Sequence, residues 1–370
     1  MSEKGRAVTE IELEEALSYV GKHVERKRQV WNTAASADAI RHFAIGFGDD
    51  NPLWLDRNYA SKSKLKRLVA PPTFPFSIDS CAVLPGLEGL ARIAAGQEIE
   101  CFERIYEGDV IRADTICSDA KMIHSPRIGP MIIQSGTATF YNQEDVLVAR
   151  GSHHAFRLPR SEDVPEWAYE QRTHRYDSTE LAQIEKSVLS EEIRGGAARY
   201  FEDVQVGDEI GPLTKGPYTQ TDLLCWYAGA GVYGRRPFRL AWRERVQNSD
   251  WYTVVPETGA FEYSDRSHYD MRSARLHGMP GPFDNPMQRC SFAAQLFTDW
   301  IGDEGILNSV SCRYRRPFVF GDTLSFRAKA VTKEIKSKVG TVKFLLEARN
   351  QIGEITTTGL ASVSLPLRYL

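Results

Sequence analysis

The sequence predicts an α+β protein made of two copies of one unit, each a long helix wrapped by an antiparallel sheet. Three observations carry this expectation. The chain matches itself in order along much of its length. Each copy runs from a capped helix through a polar turn and a longer apolar segment into strands. The strands come as long pairs joined by Asn-containing turns.

The self-match is read from several positions together. Trp54-Leu55-Asp56 and Ala60 stand against His268-Tyr269-Asp270 and Ala274, an offset of 214 that also sets Pro72 on Pro286. Gly108-Asp109 falls on Gly321-Asp322 at an offset of 213, and Asn142-Gln143 with Gly151 fall on Asn350-Gln351 with Gly359 at 208. Leu158-Pro159 falls on Leu365-Pro366. Upstream the offset shrinks to 183, where Ser36-Ala37-Asp38-Ala39-Ile40 and Phe43 resemble Thr219-Gln220-Thr221-Asp222-Leu223 and Trp226. The second copy therefore carries an insertion of 31 residues between about Gly231 and Glu262, rich in Arg, Trp and Pro. We read it as a long loop over the second half's ligand site.

Within each copy the elements follow from local chemistry. Ser36 and Thr219 are N-cap residues followed by apolar residues at helical spacing. Pro286 to Ile301 has Phe292, Leu296 and Trp300 on one face, and its first residue is a proline, which suits a helix start. The matching segment, Thr73 to Ala94, contains Pro85-Gly86, so a kinked or split helix is expected there. Met131-Ile132-Ile133, Gly136 to Tyr141 and Val146 to Arg150 bracket a turn at Asn142-Gln143-Glu144-Asp145. Val342 to Ala348 and Glu354 to Val363 bracket Asn350-Gln351-Ile352-Gly353. The resulting division is an N-terminal domain at 1–159, a charged linker at 160–198 and a C-terminal domain at 199–370. The linker contains Pro165 and a helical stretch through Leu181, Ile184, Val188 and Leu189 that ends at Gly195-Gly196.

Composition narrows the function classes. A net charge of −3 gives no basic field to recruit nucleic acid. No apolar run approaches the roughly 20 residues of a membrane helix, and the N-terminus lacks an apolar signal core. A cytoplasmic protein is expected. Cys81, Cys101, Cys117, Cys225, Cys290 and Cys312 are scattered with no CxxC pair, so they read as reduced thiols. His153-His154 lie in a strand and point to opposite faces, so they cannot chelate one metal together. No metal site, phosphate-binding glycine loop or nucleophile motif is expected.

The motifs carry a family resemblance. Gly48-Asp49-Asp50-Asn51-Pro52-Leu53 resembles the MaoC and (R)-specific enoyl-CoA hydratase motif, Gly-Asp-x-Asn-Pro-x-His. Ala70-Pro71-Pro72-Thr73-Phe74 resembles the segment that follows it in fatty-acid-synthase-like dehydratases. Gly216-Pro217, Thr221-Asp222, His268-Tyr269-Asp270, Gly278, Asp284, Gln288-Arg289 and Asp299-Trp300-Ile301-Gly302-Asp303 are similar to bacterial two-hot-dog acyl dehydratases. The resemblance implies two tandem hot-dog domains. It also implies reversible syn addition of water to a trans-2-enoyl thioester by an Asp and a His on one loop. Water must be held on one face of the alkene by groups that accept one proton and deliver another. The thioester oxygen gains negative charge, which N–H groups at the start of the central helix can meet.

Neither copy keeps the full pair. The first retains Asp49 but has Trp54 at the histidine position. The second has His268, with Tyr263 where the Asp would stand and Asp265 at the position of Asn51. By analogy with fused hot dogs that retain one working site, the second half is the expected active one. His268 is expected as acid/base because imidazole shuttles protons near neutrality, with Asp265, Asp270 or Asp284 as catalytic partner. Asp270 aligns with Asp56, which favours a shared capping role, though it also counts among the substrate-binding candidates. Those are Tyr263, Asp270, Asn285, Met287, Arg289, Arg235 and Arg236. Of these, the helix-start amides near Asn285 and Met287 are expected to bind the thioester oxygen. Arg235-Arg236 with Arg239, and Arg313 with Arg315-Arg316, could meet CoA phosphates.

The expected activity is a hydro-lyase on an acyl-CoA or acyl-carrier thioester, with no cofactor, no metal, no nucleic-acid or membrane partner, and a homo-oligomeric assembly. Two other readings stand beside it. One is a non-catalytic thioester-binding subunit of a hydratase complex. The other is a hot-dog enzyme of altered chemistry, such as a thioesterase, an isomerase or a polyketide-tailoring enzyme.

Overall fold

The computed structural model describes residues 6–24, 26, 30–126, 128–159, 174–231, 235–336 and 338–368. The first part of the expected linker, 160–173 with Pro165, lies outside them. The chain opens with α1 (Glu10–Leu17), whose first turn is closed by a reciprocal Thr9–Glu12 capping box. Ser36 caps α2 (Ala37–Gly46), Asn51 caps α3 (Pro52–Leu55) and Asp56 caps α4 (Arg57–Lys62). Four strands follow: β1 (Leu90–Cys101), β2 (Arg112–Ser125), β3 (Gly129–Tyr141) and β4 (Leu147–Pro159). Next come α5 (Ser178–Leu189), β5 (Glu209–Lys215) and α6 (Gln220–Ala230), the last capped by Thr219. The inserted segment holds α7 (Phe238–Gln247), β6 (Tyr252–Val254) and β7 (Phe261–Tyr263). The chain closes with α8 (Met271–Leu276), α9 (Pro286–Ile301), β8 (Ile306–Tyr314), β9 (Leu324–Lys336), β10 (Val339–Asn350) and β11 (Ile355–Leu365).

Nine strands form one antiparallel sheet in the order β2-β3-β4-β1-β8-β11-β10-β9-β5. Each copy contributes a contiguous block, and the blocks join where β1 pairs with β8. At that seam Glu98 lies opposite Ser311, so residues at the 213 offset meet each other. The same approximate twofold runs between α2 and α6. Gly46 and Gly229, equivalent at the 183 offset, face each other, and the rings of Phe43 and Trp226 meet with centroids 5.6 Å apart. A Cβ on Gly229 would stand 2.2 Å from the His42 carbonyl oxygen, so two helix backbones would have to separate. Gly229→Ala is therefore expected to destabilise the chain by about 1–3 kcal/mol, read as a lowered urea midpoint. An unchanged midpoint would show that the crossing is loose.

The second copy's central helix forms over the expected span. It is buried nearly all round, with Phe292, Leu296 and Phe297 packed into the sheet against Phe326 and Phe344. Such a side chain contributes roughly 1.5–3 kcal/mol when fully buried. The first copy departs from expectation. Instead of a split helix over Thr73 to Ala94 there is one 3-10 turn, Phe74–Ser77, followed by irregular chain until β1. Pro71, Pro72, Pro75 and Pro85 deny this stretch helical hydrogen bonds. The sheet accommodates the irregular chain with glycines: a Cβ on Gly136 would meet Val83 N at 2.4 Å, and one on Gly151 would meet Cys81 Sγ at 2.4 Å.

The inserted segment also departs from expectation, since it folds into a helix and a hairpin where a loop was read. Its aromatic residues supply a small core of their own. Tyr252 and Tyr263 stack at 4.6 Å and both donate to the Glu244 carboxylate, while Arg245 lies over Phe261.

Candidate functional site

Four of the second-copy residues singled out by sequence, Asp265, His268, Asp284 and Arg289, line one cleft of about 710 Å³, while Asp270, Asn285, Met287, Arg235 and Arg236 do not and Tyr263 lines an adjoining hollow. Ser267 also lines the cleft, and the inserted segment adds Asp250, Trp251 and Thr253. The opposite wall comes from the first copy, through the irregular stretch around Leu84 to Leu90 and through His153 and Arg157. A second hollow of about 600 Å³ adjoins it and shares Arg92, Trp251, Ser264 and Asp265.

His268 ends a 3-10 turn, Arg266–His268, and is buried. Its Nδ1 lies 3.1 Å from both the Phe283 and the Asp284 carbonyl oxygens. Two acceptors at Nδ1 require the proton there, so Nε2 is the basic nitrogen of the neutral ring. Burial lowers the imidazole pKa to about 4, against the pull of the neighbouring Asp265 carboxylate. The ring is therefore neutral at pH 7, as a general base must be.

Asp265 stands at the head of the same turn. Burial alone would raise its pKa, but Arg235, with Nη2 3.0 Å from Oδ2, outweighs this and holds the carboxylate below its usual range. Arg235 is fixed by rings, its guanidinium carbon lying 4.4 Å from the Tyr227 centroid and 5.1 Å from that of Tyr269. An anion thus sits beside the imidazole where a positive charge would form during proton transfer.

The other candidates are placed as follows. The Asp284 carboxylate is gripped by Arg289 through two hydrogen bonds, Nε to Oδ2 at 2.7 Å and Nη2 to Oδ1, with both side chains buried. Asp284 meets His268 through its backbone carbonyl. Asn285 caps α9 by accepting from the Met287 N–H at 3.0 Å, so that amide already has an acceptor. Asp270 caps α8 through the Ser273 N–H, as Asp56 caps α4 through the Asn58 and Tyr59 amides. Tyr263 donates to Glu244 and accepts from the Arg236 N–H. It lines the adjoining hollow, whereas the lining of neither hollow includes Arg236. Arg315 and Arg316 are exposed at the rim, bonded to Thr358 and paired with Glu354 respectively.

Sequence reasoning missed the first copy's share of the cleft. His153 is buried there, its Nδ1 2.8 Å from Gln97 Oε1, and burial lowers its pKa to about 3. His154 points the other way, to Ser135. The alternation that set the two histidines on opposite faces was legible, but it could not say which face borders a cavity.

In the first copy Asp49 is buried and accepts from the Asn51 N–H at 3.0 Å, and burial raises its pKa to about 6. Trp54 occupies the place equivalent to His268. Among the described residues no cluster of three or more His, Cys, Asp or Glu could hold a metal ion. No helix among them is long and apolar enough to cross a membrane.

Comparison with known proteins bears on the fold. Residues 19–150 match the family model "FAS1-like, dehydratase domain region". A UPF0336 protein of Thermobifida fusca (strain YX) is 34% identical over 71 residues, which are 19% of this chain and 42% of that protein's length. A solved MaoC-like dehydratase superposes with a TM-score of 0.67 at 17% identity, covering 95% of this chain and 99% of its own. A MaoC domain protein dehydratase from Chloroflexus aurantiacus J-10-fl gives 0.56 at 13% identity, covering 91% of this chain and 93% of its own. A Mycobacterium tuberculosis protein described as a double hotdog fold gives 0.52 at 14%, covering 94% and 96%. The chain is thus a double hot-dog protein with the fold of the MaoC-like dehydratases. Within that fold, the match to the FAS1-like dehydratase domain region is confined to residues 19–150.

Proposed function

We propose that the chain is a hydro-lyase that hydrates a 2-enoyl thioester or dehydrates the 3-hydroxyacyl thioester, with His268 as the acid/base. One observation carries this reading: a buried, neutral imidazole of fixed tautomer lines a cleft large enough for an acyl thioester. In hydration, Nε2 takes a proton from water as the water oxygen bonds to C3. The π pair of the alkene moves toward the thioester carbonyl, and the imidazolium returns the proton to C2 on the same face. Dehydration is the reverse. Asp265 offsets the imidazolium charge, and Arg235 keeps Asp265 ionised. The positive end of α9 borders the cleft through Pro286 and favours the charge that develops on the thioester oxygen. Arg315 and Arg316 at the rim suit the phosphates of CoA or of a carrier's prosthetic arm.

Incubating the purified chain with crotonyl-CoA and bulkier enoyl thioesters, while following the loss of enoyl absorbance, tests the proposal. Turnover without release of free thiol is expected. Thiol release would mark a thioesterase, and inertness toward the whole panel would leave only a binding role. Arg235→Gln is a finer probe. Without that guanidinium, the largest influence opposing burial at Asp265 is lost, and His268 loses a neighbouring positive charge that depresses it. Both changes move the acid limb of kcat/KM to higher pH, and a limb that stays in place would remove Arg235 from the site.

A further inference from the structure

The first copy's wall of the cleft sets two positive charges side by side. Arg92 on β1 and Arg157 on β4 are direct partners in the antiparallel register, so both side chains leave the same face of the sheet, and both line the cleft. Like charges placed opposite one another are destabilising. Arg157 is buried and held, its Nη2 donating to the Gly86 and Leu87 carbonyls, each at 2.8 Å. Arg92 is exposed, and its side chain makes no hydrogen bond or ion pair among the described residues.

The Arg92 charge reaches into the site, where it acts on two groups that line the cleft. Burial chiefly brings the His153 pKa to about 3, and Arg92 depresses it further. At Asp265 burial raises the pKa, and Arg92 adds to the stronger downward pull of Arg235. Arg92 also borders both hollows, whereas Arg315 and Arg316 border the cleft alone. The surrounding carboxylates do not answer it. Asp79, Asp265 and Asp284 each hold another arginine, and Glu88 and Asp250 are exposed to solvent. The hollow beyond Arg92 is no hydrocarbon tunnel. Beside Trp31 and Ile78 it presents Ser80, Ser264 and the Arg26–Asp79 pair, polar groups whose hydration an alkyl chain would strip without replacement.

Resting on the thioester reading above, we propose that the acyl group of the substrate carries a carboxylate, which Arg92 binds where the two hollows join. On that reading the phosphates of CoA or of a carrier's arm meet Arg315 and Arg316 at the rim, so an anion at Arg92 belongs to the acyl end. The guanidinium fork matches the two oxygens of a carboxylate. The bound anion also relieves the repulsion between Arg92 and Arg157. The substrate class is then a dicarboxylic acyl thioester and not a long-chain fatty one.

Isothermal titration of the full chain with saturated thioesters tests this apart from turnover, since they have no alkene to hydrate and no hydroxyl to lose. Adipyl-CoA and hexanoyl-CoA differ only in a terminal carboxylate against a methyl group. The wild type is expected to bind adipyl-CoA at least about tenfold more tightly, as a hydrogen bond between charged groups provides. Arg92→Gln should reduce that preference to about threefold or less, with hexanoyl-CoA and free CoA bound as before. Equal wild-type affinities for the two thioesters, or a preference that survives Arg92→Gln, would overturn the proposal and leave the thioester reading standing. A loss in Arg92→Gln shared equally by adipyl-CoA, hexanoyl-CoA and free CoA would overturn it by assigning Arg92 to the phosphates. Failure of all three to bind the wild type would overturn the thioester reading together with this one.

Discussion

His268→Ala is expected to lower kcat/KM for enoyl-thioester hydration by about 10²–10⁴-fold, the range associated with a positioned acid/base. Under the proposed mechanism the loss falls mainly on kcat, because the ring would act on the reacting water rather than bind the body of the thioester. The pH profile carries the same claim. The base must be neutral to accept a proton, and its pKa is lowered to about 4. Activity should therefore rise as pH increases through about 4 and stay level to neutrality. An unperturbed histidine would break near 6.5. A variant of undiminished activity would move the chemistry elsewhere in the cleft, and an acid limb near 6.5 would mean that the ring is solvated in the working protein.

Asp284→Ala should produce the largest loss of stability. It leaves the Arg289 guanidinium buried without its carboxylate, a situation that costs about 3–5 kcal/mol. Chemical denaturation should show it directly. Replacing both partners with apolar residues, as in Asp284→Leu with Arg289→Met, should recover most of the loss, because the desolvation of both charges is removed together. If the single variant were as stable as the wild type, water would have to reach Arg289, and the floor of the cleft would be more open than the structure shows. The same pair explains why Asp284 sits so near His268 without sharing a proton with it: its carboxylate faces Arg289 and only its carbonyl faces the ring.

Much of the architecture was legible because duplication makes each half a check on the other. The helix from Pro286 to Ile301 was readable from its proline start and apolar spacing, and the caps at Ser36 and Thr219 from their side chains. The equivalent segment after Thr73 misled because apolar content alone does not distinguish a helix from irregular chain lying on a sheet. The deciding features were the prolines and the glycines at 136 and 151, which lie far apart in sequence from the residues they admit. The inserted segment looked like a loop because its core is aromatic and tied to Glu244, not periodic. At the site, Asp265 and His268 could be named because they share one turn. Arg235 could be named only as a member of a basic cluster, since its partner lies 30 positions on. His153 and the wall from Leu84 to Leu90 belong to the other copy, and proximity across a seam of paired strands leaves no mark in a linear reading.

The meeting of Phe43 with Trp226 and of Gly46 with Gly229 has an evolutionary and a thermodynamic side. Where identical subunits meet on an axis, every substitution is felt twice and must be compatible with its own image. Once the subunits are joined in one chain, each side can change alone, so one copy can trade its imidazole for an indole while the other keeps it. The seam between β1 and β8 also ceases to obey mass action. Dilution that would separate a pair of independent subunits leaves this one closed, and with it the cleft whose two walls come from different copies.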